Sequence, residues 1–206
     1  MEIIRFSSIR PEPWRNGGGV TREIARHPRE ASPDGSWDWR VSIAEVGKAG
    51  DFSAFPGMER VISVIDGELL VLTVDGEEHA MERYRPFRFS GDAVSSSALP
   101  TGDIRDLNVI ARRGAFKGYL SILELSKKRA HPVFDGQLAI LLEGKASVAE
   151  GPGDGAGEGS GEGSGSEPVE LARYDAVVGS DDPSPELLGR GFVAIVSLDP
   201  ADPAES

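Results

Sequence analysis

The string Trp14-Arg15-Asn16-Gly17-Gly18-Gly19 is the most unusual in the chain. Three consecutive glycines offer backbone N–H groups that no Cβ shields, which can form a concavity for an anion, and Arg15 and Asn16 add side-chain donors. The same string would also suit a tight crossing of the N-terminal segment over a barrel mouth, and both readings stay open. It is not a phosphate-binding P-loop, because no Gly-Lys-Ser/Thr follows.

A second set of candidates rests on strand parity. From Trp39 onward, Trp39, Val41 and Ile43 fall on one face of an extended segment and Arg40, Ser42 and Ala44 on the other. If the second face lines an interior, Arg40 needs an anionic partner: a protein carboxylate such as Asp92 or Asp106, or the carboxylate of a ligand. Arg60, close to Pro56-Gly57, carries the same two alternatives. Asp106 and Asn108 alternate with Leu107 and Val109 and so share a face. They could orient a small polar ligand, or Asp106, with Asp92 as the other candidate, could act as a general base. No His or Cys stands nearby in sequence to complete a nucleophilic set. Trp14, Phe55 and Phe89 are candidate pocket walls, although aromatic residues in an all-β protein are more often plain core. The site expected from these residues has Arg40 holding a small carboxylate, Trp14 to Gly19 as its lid, and Asp106 and Asn108 opposite.

Composition narrows the classes of function. The chain of 206 residues has no cysteine, which excludes catalytic thiols, thiolate metal sites and disulfides. The first 14 residues carry Glu2, Arg5 and Arg10 and lack the apolar run of a secretory signal, and no stretch approaches a membrane span. A soluble, cytoplasmic protein with no membrane partner is expected. The net charge of −12 is unevenly placed, with 19 basic and 19 acidic side chains up to residue 130 and only 3 basic against 15 acidic beyond it. An acidic C-terminal part argues against a nucleic-acid partner, since phosphate binding needs clustered cations. It also leaves room for an interaction protein whose acidic half meets a partner.

The elements that must position these residues are strands. Apolar residues recur at every second position or in short runs, and Gly or Pro interrupts nearly every stretch of a dozen residues. The clearest strands are 39–46, 61–65, 69–74, 107–111, 119–125, 138–142 and 192–198, and Asp66-Gly67 and Asp75-Gly76 are hairpin dipeptides. Val61 to Gly67 resembles Leu138 to Gly144 at an offset of 77 in the numbering, and Arg83-Tyr84 resembles Arg173-Tyr174 at an offset of 90. Leu107 to Ile110 against Phe192 to Ile195 completes the same order, which suggests a duplicated β-barrel. The expected division is an N-terminal barrel over 1–117, a C-terminal barrel over 118–199 and a disordered tail over 200–206. The Gly-rich stretch 151–167 is expected as a flexible surface loop inside the second barrel.

Taken together, Pro13 to Thr21, Trp39 to Ala44, Phe52 to Gly57 with Arg60, Phe89 to Asp92, and Asp106 to Asn108 resemble the HutD/Ves family. The resemblance implies an all-β fold of tandem cupin barrels (a bicupin, of the RmlC-like jelly-roll type) with little helix, linked to histidine utilisation or stress response. It brings no established catalytic activity, so fold follows more firmly than chemistry. It adds Thr21 and Ser53 to the ligand-binding candidates. Cupins that bind metal use paired His and a Glu, but here Ser53 and Phe55 stand where the paired His would fall, and Arg105 stands near the third. His27, His79 and His131, the three histidines of the chain, are expected on loops or the surface. Neither metal nor cofactor is expected. Because cupins often pair, a homodimer is. The function expected is binding of a small carboxylate metabolite with a regulatory role. The alternatives are a metal-independent isomerase or hydrolase with an Asp base, and a structural protein.

Overall fold

The computed structural model describes residues 1–30, 35–151 and 167–201. Among them every regular element is a strand, apart from one 3-10 turn at Phe6–Ser8. Among the described residues the chain has no helix that is long and apolar enough to cross a membrane. It opens with β1 (Glu2–Ile4), β2 (Glu12–Pro13), β3 (Gly19–His27), β4 (Trp39–Val46) and β5 (Gly50–Asp51). There follow β6 (Met58–Asp66), β7 (Leu69–Val74), β8 (Glu77–Glu82), β9 (Phe87–Ser90), β10 (Ser95–Ala98), β11 (Ile104–Arg112) and β12 (Phe116–Leu125). The last are β13 (His131–Pro132), β14 (Gln137–Glu150), β15 (Val169–Leu171), β16 (Ala176–Val178) and β17 (Pro185–Pro200).

Two compact units result, one made of Ile9–Leu120 with the chain from Leu198 on, the other of Met1–Ser8 with Ser121–Ser197. The first eight residues thus differ from expectation by joining the C-terminal unit. The reason is pairing: β1 runs antiparallel to β16, with Ile3 opposite Val177. The expected loop 151–167 falls mostly outside the described residues, as does the tail after Ala201.

In the N-terminal unit a six-stranded sheet, in the order β2-β3-β4-β11-β6-β9, faces a four-stranded sheet, β5-β10-β7-β8. Ala44, Ile62, Val64 and Ile104 of the first sheet pack on Leu70 and Leu72 of the second, which makes a jelly-roll-like sandwich of open sheets. The Asp75-Gly76 hairpin between β7 and β8 puts both residues at positive φ, 49° and 87°, the backbone of a type I′ turn that matches the strand twist.

The C-terminal unit is built on one seven-stranded sheet, in which β14 and β17 pair along most of their length. Their pairing shifts between Leu141 and Glu143, and Gly144 and Gly191 meet there at φ 98° and 114°. A Cβ on either glycine would come within 2.0 Å of a backbone oxygen, so the strands bend where side chains are absent. The bend lets Ala139 and Leu141 on one side of it and Ala146 and Val148 on the other enclose a single core with Val177, Val193 and Ile195.

The duplication is visible atom by atom within each unit. Tyr84 N–H donates to Val64 O at 2.8 Å and Tyr174 N–H to Leu141 O at 2.6 Å. Both tyrosines hold positive φ, 65° and 71°, and each takes the preceding arginine over its ring, at 4.6 Å for Arg83 and 4.7 Å for Arg173. The offsets of 77 and 90 read from sequence are those of these contacts. His27 ends β3 and is exposed, as expected, whereas His79 on β8 against Phe87 and His131 on β13 are partly buried in strands. A following proline ends a strand without excluding the residue before it.

Candidate functional site

The inward face of the six-stranded sheet is polar at one end. Antiparallel register sets Ser42 opposite Asn108, and Arg40 opposite Ile110, which itself faces Arg60 across β6. Arg40, Ser42, Arg60, Asp106 and Asn108 therefore share one face of three adjacent strands. Asp106 and Asn108 stand beside Arg40, not opposite it. The difference is one of strand neighbourhood, which no local pattern in the sequence specifies.

All of these side chains except Asp106 border a cavity of about 470 Å³. Trp14, Arg15, Asn16, Thr21, Ser53 and Phe55 line it too, so most of the expected residues converge. Trp14 is held by its indole N–H, which donates to Thr21 Oγ1 at 2.8 Å, and by an edge-on contact with Phe52. Phe89 is buried and packs on Arg60 from the core side, at 4.8 Å from guanidinium carbon to ring centre. Phe55 lies 5.3 Å from both the Arg40 and the Arg60 guanidinium carbons, and Trp37 lies 5.1 Å from that of Arg40. Aromatic faces thus stabilise two cations that have lost most of their water.

The polar network behind the cavity is short. Arg60 is only 4% exposed; its Nη2 donates to Asn108 Oδ1 at 2.8 Å and its Nη1 reaches Ser53 O at 3.4 Å. Asn108 Nδ2 in turn donates to Oδ1 of Asp106, which is fully enclosed. Within this set, three buried atoms have no hydrogen-bond partner among the described residues: Arg40 Nε, Arg60 Nε and Asp106 Oδ2. Burial pulls the Arg60 guanidinium down to about 10, against the pull of Asp106 and with a smaller push from Arg40. Burial likewise raises the Asp106 carboxyl to about 7, opposed by Arg60. Arg40 is lowered by burial against the nearby charges of Glu23 and Glu12. Near neutral pH the buried set holds two cations and one half-neutralised acid, an excess of positive charge that an anion from solution would balance.

Other expected residues do different work. Gly17 N–H donates to Trp14 O, Gly18 N–H to Asn16 Oδ1, and Gly18 O accepts from Gly47 N–H. The glycine string is the turn between β2 and β3, and the N–H groups of Gly17 and Gly18 are spent inside it. Gly19 is required by space, since a Cβ there would lie 2.4 Å from Glu45 O. All three glycines line a separate groove with Glu45, Asp66 and Arg105. Asp92 is exposed and pairs with Arg113 and the Gly57 N–H, away from the cavity. Asp106 does not line the cavity and is joined to its lining through Asn108. Sequence reasoning missed Glu12, Asp51 and Phe52 in the lining. The two acids are exposed and the phenylalanine lies beyond β5, so only the fold brings them to Arg40.

The HutD family model matches residues 6–194. Protein Ves of Citrobacter koseri is 39% identical over 126 residues, 59% of this chain and 64% of that protein. An uncharacterised 21.2 kDa protein from the region 3′ of hutC in Pseudomonas putida is 40% identical over 111 residues, 53% of this chain and 57% of that one. The matched part thus spans less than two thirds of these relatives. The solved structure of HutD from Pseudomonas fluorescens SBW25, in a formate condition, is 30% identical with a TM-score of 0.74, over 98% of this chain and 99% of that one. At the level of fold alone, a cupin 2 conserved barrel domain protein from Leptotrichia buccalis superposes with a TM-score of 0.55 at 11% identity, over 97% and 96% of the two chains.

Proposed function

The chain belongs to the HutD family, and from that premise we propose that its N-terminal unit binds a small carboxylate metabolite between Arg40 and Arg60. One observation carries the reading: two guanidiniums border a 470 Å³ cavity, each with a buried Nε that nothing among the described residues satisfies. Unpaired donors of buried cations are costly, and a carboxylate, which takes two parallel bonds from a guanidinium, removes that cost. Asn16, Thr21, Ser42 and Asn108 supply neutral polar groups to orient the rest of the ligand, and Trp14 and Phe55 supply its apolar walls. The role is regulatory, with the ligand drawn from histidine utilisation. The relative from the hutC region supports that context, and urocanate and N-acylated glutamates are small carboxylates of the proposed class.

Calorimetric titration with urocanate, N-acetylglutamate and glutarate tests this. Arg40→Lys should weaken binding by about 1.5–3 kcal/mol, since Lys offers a point charge where Arg offers a fork. Glutarate should bind better than its monoamide. Unchanged affinity in folded Arg40→Lys and in Asn16→Ala would put the site elsewhere.

A further inference from the structure

Asp106 is the one buried acid at this site, and it is built as half of a pair whose other half is Arg60. The two are joined through a single amide: Asn108 Nδ2 donates to Asp106 Oδ1 while Asn108 Oδ1 accepts from Arg60 Nη2. Asn108 is itself buried, and its amide is oriented by the two charges it joins. The other carboxyl oxygen, Oδ2, is enclosed and has no donor. An ionised carboxylate pays heavily for such an oxygen, whereas a protonated one can carry its hydrogen there.

The surroundings leave Arg60 as the controlling charge. At the register positions flanking Asp106, β4 places Ala44 and β6 places Val64. Leu70, Leu72 and Met81 pack in the same core from the facing sheet. Arg40 on β4 acts on Arg60 as a like charge, and Glu23 on β3 and Glu12 on β2 act on Arg40.

We infer that ligand binding here is coupled to uptake of one proton: when a carboxylate settles on Arg60, Asp106 loses its counter-ion and takes a proton from solution at Oδ2. The inference rests on the carboxylate reading above and adds its regulation by pH. The balance is simple. The empty site holds Arg60 against an Asp106 that ionises as pH rises; the filled site holds Arg60 against the ligand, with Asp106 neutral. An ionised Asp106 competes with the ligand for the same cation, so affinity falls as pH rises. With the carboxyl titrating at about 7 in the empty site, a ligand that binds only when Asp106 is neutral is held about tenfold more weakly at pH 8 than at pH 6.

Two measurements on the full chain test it. The first follows the Asp106 side-chain carboxyl by 13C NMR without ligand, with Asp106→Asn to assign the signal; a midpoint near neutrality is expected, and one below 5 overturns the coupling while leaving the carboxylate reading intact. The second titrates urocanate, N-acetylglutamate and glutarate from pH 6 to 8 in buffers of different ionisation heat. A tenfold loss with close to one proton taken up per ligand at pH 8 is expected, and Asp106→Asn should flatten the profile. Binding with no pH dependence and no proton uptake overturns the coupling alone. No binding of any probe at any pH overturns the carboxylate reading, and the coupling with it. Should Asp106→Asn fail to fold, the pH profile and proton count of the unaltered protein still decide.

Discussion

On the inward side of β6, the N-terminal unit places Arg60, Ile62 and Val64, and at an offset of 77 the C-terminal unit places Gln137, Ala139 and Leu141 on β14. On the partner strands, Asp106, Asn108 and Ile110 of β11 face a core that Val193 and Ile195 of β17 fill in the other copy. One frame has therefore been finished in two ways. Its repeated parts are backbone devices, the positive-φ tyrosines and the bonds from their N–H groups, which any interior can tolerate. Its divergent parts are inward side chains. A buried set of charges gives a sandwich no stability that apolar residues of like volume would not. The polar interior of the first unit thus needs another cause, and the carboxylate proposed above would supply it.

Exchanging the two finishes should have opposite costs. Val193→Asn puts an amide into a core where Val193 is fully buried, and should destabilise the protein by about 3–5 kcal/mol, the lost apolar burial plus an unsatisfied polar group. At pH 6, where Asp106 is mostly neutral and needs no counter-ion, Arg60→Met should change stability by no more than about 1.5 kcal/mol, because the desolvation of Arg60 disappears along with its bond to Asn108, while carboxylate binding is lost. Urea unfolding of the two variants checks the pair. A loss with Arg60→Met as large as that with Val193→Asn would mean the polar set serves stability after all.

Seven strands are legible in the sequence because alternation is local: 39–46 and 69–74 match β4 and β7, and the other five fall inside longer strands, while β8, β9, β10 and the strands of two or three residues go unread. β3 escaped notice because Arg22, Glu23 and Arg26 crowd its polar positions and its pairing slips between Glu23 and Ala25. Parity also put Arg40 with Ser42 and Asp106 with Asn108. What parity cannot say is which strands are neighbours, and the junction of Asn108 with Arg60, 48 positions apart, depends on that alone. The glycine string misled in the other direction: a turn and an anion nest have the same composition, and they differ in whether the N–H groups are already bonded.

The comparison sharpens at the chain start, which the C-terminal unit uses as an edge strand. Asp175, 1% exposed, accepts from Arg5 Nη1 at 2.6 Å, from Phe6 N–H at 2.9 Å and from Ala172 N–H at 3.0 Å. Asp175→Ala leaves two backbone donors unpaired, while half-exposed Arg5 returns to water. A loss of about 2–3 kcal/mol is expected. Proteolysis at the N-terminus should quicken in parallel. Unaltered protection there would show that β1 is held by its ladder with β16 alone.

The smallest effect compares the two arginine–tyrosine pairs, the best-preserved remnant of duplication. A guanidinium over a ring contributes about 0.5–1 kcal/mol at a partly exposed position, and Lys retains the charge but not the flat stacking surface. Arg83→Lys and Arg173→Lys should each therefore cost less than about 1 kcal/mol for the stacked contact. Their hydrogen bonds differ: Arg83 Nη2 donates to the Tyr84 hydroxyl at 2.9 Å, whereas Arg173 Nε donates to Leu142 O at 2.8 Å. The Leu142 carbonyl belongs to β14 beside the bend at Gly144, where a lost donor is not readily replaced by another strand. Arg173→Lys should thus be the costlier by about 1 kcal/mol, the usual net contribution of one such bond. Thermal unfolding of the two variants measures the difference directly. Equal costs would assign the whole contribution to the stacked pair, the part both copies share, and would leave the bond to Leu142 without energetic weight.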